Sequence, residues 1–415
     1  MAKLEASEVD GSSVLERGWR LRLTTTLPSF LVLYAVLYAA FGVASPFLPA
    51  LIEQRGIAPE EIGLLFAAGT AIRLISAPIA GRIADRTQAL RLTLAVCAIA
   101  TALAALGYLA AWSFWAILAV SLGHAFALAP TTNLADALAL VASRRRERGF
   151  EYGWVRGAGS AAFVLGAILA GWVTSSHGLG VILFLQAFLM LIVPFAVRWV
   201  PPVDSGTREA TRTISRSGVM ALVRLPVFRR VVLVAALILG SHAMHDTFAV
   251  IRWQAAGISP QTASLLWSMS VAAEVAVFFL LGPALLRMLT PAGAIALAAV
   301  AASTRWLVAA FTADIAALAL TQPLHGFTFA LLHLACMRLL AGTVPAQLAA
   351  TAQAIYGTVG VGAATALLTL ASGWLYARLG AHAFLVMSGL CLTALPVAAG
   401  LREVALKPGR TAVAQ

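Results

Sequence analysis

Gly81-Arg82-Ile83-Ala84-Asp85-Arg86-Thr87-Gln88-Ala89-Leu90-Arg91 lies at the junction of two long apolar runs, 62–84 and 91–111. Each run has about 20 residues, the length that an α-helix needs to cross a hydrocarbon core of roughly 30 Å. The junction itself is short and charged. The pattern therefore predicts two membrane-crossing helices joined by a tight polar turn.

The composition of the whole chain supports this interpretation. Of 415 residues, 61% are hydrophobic and only 11% are charged. A soluble domain carries about 25% charged residues, so this chain could not cover its surface with polar groups in water. Its main solvent must be lipid.

Similar apolar runs recur along the chain and predict twelve membrane-crossing helices, numbered here as spans 1 to 12. The predicted spans are 29–52, 62–84, 91–111, 113–141, 151–175, 179–199, 229–252, 262–288, 291–311, 313–340, 347–375 and 381–401. Near 112 and 312 the separators are so short that very tight turns are expected. The predicted fold is an all-α membrane protein.

A polar segment that opens with Pro201-Pro202 divides the spans into two sets of six. Two such halves predict two six-helix bundles with a binding site between them near the bilayer midplane. The expected segments are a cytoplasmic N-terminal segment 1–28, a bundle 29–200, a cytoplasmic linker 201–228, a bundle 229–402 and a cytoplasmic tail 403–415.

The net charge of +12 also fits a membrane protein. Nucleic-acid binding is the alternative for a basic chain, but these basic residues stand in small clusters between apolar runs. The predicted inner side includes Arg82, Arg86, Arg91, Arg144, Arg145, Arg146 and Arg148, whereas the outer side holds only Arg55, Arg252 and Arg378. The positive-inside rule then predicts a bacterial inner-membrane protein with both termini in the cytoplasm.

The chain lacks the sequence patterns of catalysis. It has no phosphate loop, nucleophile elbow or zinc-binding helix motif. Cys97, Cys336 and Cys391 lie in apolar runs without metal-ligand spacing. We therefore expect no enzyme activity, cofactor or metal, and transport that uses an existing gradient or runs passively.

The opening stretch resembles the loop signature of the major facilitator superfamily: Gly, three residues, Asp-Arg and a later basic residue. Gly81 would allow close helix approach, and Asp85 could bind a helix N-terminus or a neighbouring arginine. We expect Gly81, Asp85, Arg86 and Arg91 to form a conformational latch. The segment 282–287 resembles a second copy without the aspartate, which predicts a weaker latch in the second half.

Four ionisable residues are predicted at midplane depth, where charged groups are costly and usually functional. They are Arg73 in span 2, Glu274 in span 8, Arg305 in span 9 and His325 in span 10. Equal depth on four helices predicts a shared binding and proton-coupling site. The alternative is a set of separate structural hydrogen bonds.

Other polar residues in the spans have two interpretations each. Asp136 and Arg156 predict an ion pair that either binds substrate or braces spans 4 and 5. His333 is either a second proton site or a structural histidine. His242 and Asp246 share one face of span 7, but no further ligands suggest a metal site.

Several segments resemble the phenylpropionate permease branch, a relative of the lactose and nucleoside proton symporters. They are 37–42, 152–156 with Gly159-Ser160, 272–274, and 324–329 with His333. The resemblance implies proton-coupled uptake, with Glu274, Arg305 and His325 matching groups that share substrate binding and proton coupling in lactose-permease-like relatives. Span 10 lacks the additional carboxylate of the lactose carrier, so that carrier's proton route cannot be transferred to this chain.

The leading hypothesis is a proton symporter, acting as a monomer, that imports a small organic acid, including aromatic acids. The two buried arginines favour an anionic substrate. The alternatives are a proton antiporter that exports hydrophobic compounds and a sugar or nucleoside proton symporter. Glu274 is the expected carrier of the coupling proton because a carboxylate beside an arginine can exchange a proton near neutral pH. His325 is its rival.

Overall fold

The computed structural model describes residues 11–143, 150–201 and 216–405, and the side chains of 27–143, 150–201 and 218–401. Within these ranges the chain is helical and contains no β-strand. The residues outside these ranges include Arg144, Arg145, Arg146 and Arg148, half of the expected linker and most of the expected tail.

The first half contains six membrane-crossing helices. Their bounds are Leu27–Ala44, Pro59–Thr87, Leu90–Ala110, Phe114–Ser143, Tyr152–His177 and Val181–Trp199. The first of these continues a helix that begins at Gly11. A short helix, Arg216–Arg224, precedes the second half.

The second half contains the stretches Pro226–Ala255, Pro260–Met288, Pro291–Phe311, Ile315–Thr343 and Ala346–Leu401. The last has 56 residues, which as one helix would be about 84 Å long, far more than a bilayer core. The chain reverses within it. One helix ends at Leu379, Gly380 has a positive φ of 54°, and the next helix begins at Ala383. The described residues therefore contain twelve helical stretches long enough to cross a membrane, six in each half, as predicted.

The predicted tight turns are confirmed. Helical structure stops at Ala110 and resumes at Phe114, and it stops at Phe311 and resumes at Ile315. Span 1 is shorter than predicted, because it ends at Ala44 and a separate helix, Leu48–Glu53, follows. Pro46 explains the break, since proline lacks the N–H of the helix ladder and disfavours helix at the preceding residue.

Small residues allow helices to touch within the first bundle. A Cβ atom on Gly42 would lie 2.0 Å from the backbone oxygen of Phe163, and one on Gly166 would lie 2.4 Å from that of Ala39. Spans 1 and 5 therefore cross in backbone contact. Such small-residue crossings are typical of membrane helices, which associate by close packing.

Small residues also join the two bundles at one end of the molecule. A Cβ atom on Gly63 of span 2 would lie 2.7 Å from the Cα of Gly373 on span 11, and one on Gly171 would lie 2.2 Å from the Oγ of Ser264 on span 8. We call this the glycine end. It is opposite the 81–91 turn, and these contacts close the space between the bundles on that side.

Candidate functional site

Three of the four predicted midplane residues form a chain of contacts in the second bundle. The His325 ring lies between Arg305 and Glu274, with Nδ1 3.1 Å from Arg305 Nη1 and Nε2 3.4 Å from Glu274 Oε2. Spans 8, 9 and 10 are thereby linked through one imidazole.

The hydrogen-bond chemistry fixes the tautomer of His325. A guanidinium can only donate, so His325 Nδ1 must accept from Arg305. The ring proton then sits on Nε2, the nitrogen that lies 3.4 Å from Glu274 Oε2. A second proton on His325 would break its contact with Arg305, whereas a proton on Glu274 would leave both contacts in place.

Arg305 is held firmly, because its side chain is only 3% exposed. Its Nη2 donates to Gln322 Oε1 at 3.1 Å, and its guanidinium lies over the Trp306 ring, 4.7 Å from the centroid. Ser270 Oγ also donates to Gln322 Oε1, at 2.5 Å. These contacts orient the guanidinium toward His325.

Irregular helix turns surround this chain of contacts. π-helical segments occupy Val277–Leu281, just after Glu274, and Gly326–Leu331, just after His325. Single π turns inside α-helices often occur at functional sites. At Gly326 a Cβ atom would lie 2.6 Å from the Ala273 backbone oxygen, so spans 8 and 10 touch beside the two side chains.

A cavity of about 350 Å³ lies between the two bundles. Its polar lining consists mainly of Arg73, His124 and Gln186 from the first bundle and His242, Asp246 and His325 from the second. Aromatic walls come from Phe41, Phe66, Trp267 and Phe329. The volume and the mixture of apolar walls with a few polar groups are typical of small-molecule sites.

Arg73 stands apart from the other predicted midplane residues. It lines the cavity from span 2, while the contact chain of Glu274, Arg305 and His325 reaches the cavity only through the His325 ring. Among the described residues, its guanidinium has no hydrogen bond or ion pair. The site thus presents one arginine that is free to bind a ligand and one, Arg305, that is already bound.

Span 7 contributes polar groups to the same cavity. His242 Nε2 lies 2.9 Å from Thr328 Oγ1, and His245 Nδ1 lies 3.3 Å from Asp246 Oδ1. The Asp246 side chain is 57% exposed. Within the described residues no group of three ligating side chains could hold a metal ion.

Asp136 and Arg156 form a second polar cluster in the first bundle. Asp136 Oδ1 accepts hydrogen bonds from Tyr34 Oη at 2.5 Å and Tyr152 Oη at 2.7 Å, and lies 3.9 Å from Arg156 Nη1. Arg156 also donates to the Tyr38 hydroxyl and lies over its ring. We call these five residues the tyrosine cluster.

His333 lies in span 10, two turns beyond His325. Its Nδ1 is 3.4 Å from the Tyr356 hydroxyl, and its ring contacts Phe278. His333 of span 10 thus contacts side chains of spans 8 and 11.

The expected role of Gly81 is not seen in this conformation. Within the described part of the chain, a Cβ atom there would meet no atom within 4 Å, so no described helix approaches it closely. Asp85 and Arg86 lie in the exposed last turns of span 2, and Arg91 Nη1 donates to the Val200 backbone oxygen at 2.8 Å. Arg91 thus joins span 3 to the end of span 6.

Several site residues were not predicted. Tyr34 and Tyr38 are four residues apart on span 1, a spacing that places both on one face. Gln322 stands one helical turn before His325. The helical spacing of these polar and aromatic residues could have identified them. A neutral residue at membrane depth is, however, a weaker indicator of a functional site than a charged one.

Comparison with known proteins agrees with this architecture. The profile of the MFS_1 like family matches residues 27–386. The chain belongs to this family. A relative from Escherichia coli (strain K12), named a probable 3-phenylpropionic acid transporter, is 32% identical over 365 residues, which cover 87% of this chain and 94% of the relative.

Two further similarities are informative. The multidrug resistance protein MdtG of Dickeya zeae (strain Ech586) is 29% identical over 161 residues, or 37% of this chain and 38% of that protein. The crystal structure of the nucleoside transporter NupG superposes with a TM-score of 0.79 at 17% identity, covering 90% of this chain and 98% of NupG. The chain is therefore a multi-pass membrane transporter of a small molecule, with a major facilitator fold, and its relatives are transporters rather than enzymes.

Proposed function

We propose that the chain imports a small aromatic or apolar monocarboxylate together with a proton across the bacterial inner membrane. The observation that carries this proposal is the Arg73 guanidinium, which faces the central cavity without a partner among the described residues. A carboxylate is the natural ligand for such a group, since guanidinium and carboxylate form paired hydrogen bonds.

The remainder of the cavity suits the rest of such a molecule. Phe41, Phe66, Trp267 and Phe329 offer ring faces and edges to an apolar body. The relative named a probable 3-phenylpropionic acid transporter is consistent with a ligand of this kind. We infer 3-phenylpropionate and compounds of its shape as the first substrates to test.

For the coupling proton we propose Glu274. Its carboxyl group can gain a proton while it stays in contact with His325 Nε2, 3.4 Å away. A substrate anion in the cavity brings negative charge toward His325 and Arg305, which makes a proton on Glu274 more favourable. Substrate and proton then bind cooperatively, and the coupling is reciprocal by linkage.

For the orientation we propose that the glycine end faces the periplasm, as the arginine distribution predicts, so that this conformation opens toward the cytoplasm. Arginines near 82–91 then face the cytoplasm, in keeping with the positive-inside rule. Proton-driven export of hydrophobic compounds is the second candidate, favoured by the partial similarity to a multidrug resistance protein.

The test is uptake into proteoliposomes with an imposed proton gradient. We expect an inward gradient to drive accumulation of labelled 3-phenylpropionate, with no response to 3-phenylpropionamide as competitor. Arg73→Gln should weaken apparent affinity at least tenfold, since truncating one partner of a buried charge pair costs about 2–5 kcal/mol.

Arg198→Gln, which removes an exposed arginine at the end of span 6, is the matched control and should leave uptake unchanged. Equal competition by acid and amide would contradict carboxylate recognition. A gradient that expels the substrate instead would identify the chain as an antiporter.

A further inference from the structure

A second pocket lies on the flank of the first bundle, between spans 2 and 3, with span 4 as its floor. Its volume is about 370 Å³. It is lined mainly by aliphatic and aromatic side chains, among them Ile79, Ile83, Leu92, Val96, Phe126 and Pro130. None of its lining residues also lines the central cavity. We call it the flank groove.

The flank groove is at membrane depth. Its walls come from the last turns of span 2 and the first turns of span 3, and Val96 is 55% exposed. An apolar crevice on the outside of a membrane-spanning bundle is filled by what surrounds it, and at this depth that is a lipid acyl chain.

Charge at the mouth of the groove indicates which lipid. Arg86 follows Ile79 by about two helical turns and so lies on the same face of span 2 as the groove. Arg82 is one turn before Arg86. Both side chains are exposed, and within the described part of the chain neither guanidinium has a hydrogen bond or ion pair. Arg91, by contrast, donates a hydrogen bond to the Val200 backbone oxygen.

We propose that the flank groove, Arg82 and Arg86 form a binding site for an anionic phospholipid such as phosphatidylglycerol. One acyl chain lies between spans 2 and 3 against Phe126, and the headgroup phosphate is bound by the two guanidinium groups at the level of the membrane surface. Arginine suits this role, because it binds phosphate oxygens in pairs.

The corresponding corner of the second bundle is built differently. There Arg338 Nη1 donates to the Leu286 backbone oxygen at 2.8 Å and joins span 10 to span 8. At Gly282 a Cβ atom would lie 2.5 Å from the Leu334 side chain. Spans 8 and 10 are thus in contact at this corner. Arg287, an arginine at the same corner, therefore serves as a comparison for Arg82 and Arg86.

The test is native mass spectrometry of the full-length purified chain, titrated with phosphatidylglycerol and with phosphatidylcholine of the same acyl chains. We expect tighter retention of phosphatidylglycerol. Arg82→Gln with Arg86→Gln should weaken phosphatidylglycerol binding roughly thirtyfold, as expected for two arginines acting on an anionic lipid. Val96→Phe, which fills the groove, should weaken the binding of both lipids.

Two controls keep the proposal falsifiable. Arg198→Gln with Arg287→Gln removes the same charge from other corners and should retain phosphatidylglycerol binding. Leu103→Phe adds the same ring to an exposed position of span 3 outside the groove, and this variant should bind both lipids as the unmodified chain does. Equal binding of the two lipids to the unmodified chain, or equal losses in the control variants, would overturn the proposal.

Discussion

Each bundle contains a carboxylate and an arginine that are linked through side-chain contacts, but the contacts differ between the bundles. In the first bundle Asp136 Oδ1 accepts hydrogen bonds from two tyrosine hydroxyls and lies 3.9 Å from Arg156 Nη1. In the second, Glu274 Oε2 lies 3.4 Å from His325 Nε2, and the His325 ring separates it from Arg305, which contacts Gln322 and Trp306.

This difference indicates that Asp136 is a structural carboxylate, whereas Glu274 can exchange a proton. Asp136 is bound by groups from spans 1 and 5, so it ties three helices of one bundle together. Glu274 can change protonation state without breaking its contact with His325. We infer that the coupling proton moves in the second bundle and that the first bundle supplies a rigid counterpart.

The largest expected effect is loss of coupling in Glu274→Gln. The glutamine oxygen can still accept from His325 Nε2, so substrate binding and substrate exchange should persist. Proton-driven accumulation should vanish, because the side chain can no longer take up a proton. Accumulation and counterflow in proteoliposomes measure the two separately.

His325→Gln is the matched control for that variant. A glutamine amide can accept from Arg305 and donate to Glu274, so it retains both contacts of the chain. Accumulation that survives in Glu274→Gln but is lost in His325→Gln would assign the proton to His325 instead.

The second effect concerns the glycine end. In Gly63→Ala the new methyl group would lie 2.7 Å from Gly373 Cα, so the end could not close as it does here. Spin labels at Glu60 and Arg378 should report a longer distance, and uptake should fall more than tenfold. Gly69→Ala is the control, because its methyl group would meet only Ala125 at 3.6 Å. An unchanged distance in Gly63→Ala would contradict the closure.

A smaller effect is expected in the tyrosine cluster. Tyr152→Phe removes one hydrogen bond to Asp136, and the typical net loss of about 1 kcal/mol per bond predicts lower thermal stability. The proton-to-substrate ratio should not change. A changed ratio, measured from parallel proton and substrate fluxes, would show that Asp136 takes part in coupling.

The smallest effect concerns the proposed latch. Asp85→Asn should shift the population toward the cytoplasm-open state and reduce turnover about twofold to fivefold, within the range of surface charge contacts. Arg287→Gln in the second half should have less effect, since the aspartate is missing there. Equal responses of a conformation-sensitive label to both changes would contradict the predicted difference between the latches of the two halves.

Sequence alone predicted much of this architecture but less of the site. Apolar length located the twelve crossings and the tight turns near 112 and 312, because the bilayer sets that length. Depth in the membrane suggested a shared site for Arg73, Glu274, Arg305 and His325, but it says nothing about direction around each helix. In the structure Glu274, Arg305 and His325 form one chain of contacts, and Arg73 lines the cavity from the opposite wall.

The remaining features depend on long-range packing. π turns beside Glu274 and His325 rotate the residues that follow, so ideal helical spacing misplaces them. The contact of Gly63 with Gly373 joins residues far apart in sequence. Nothing local to either glycine distinguishes it from Gly81, which no helix of the described ranges approaches closely.

Proton uptake upon substrate binding, measured with a pH indicator in weakly buffered solutions of purified protein, tests directly whether Glu274 carries the coupling proton. We expect 3-phenylpropionate to cause proton uptake by the unmodified chain and by Asp136→Asn, and none by Glu274→Gln even at saturating substrate. Uptake that persists in Glu274→Gln and disappears in Asp136→Asn would contradict this expectation and move the coupling proton to the first bundle.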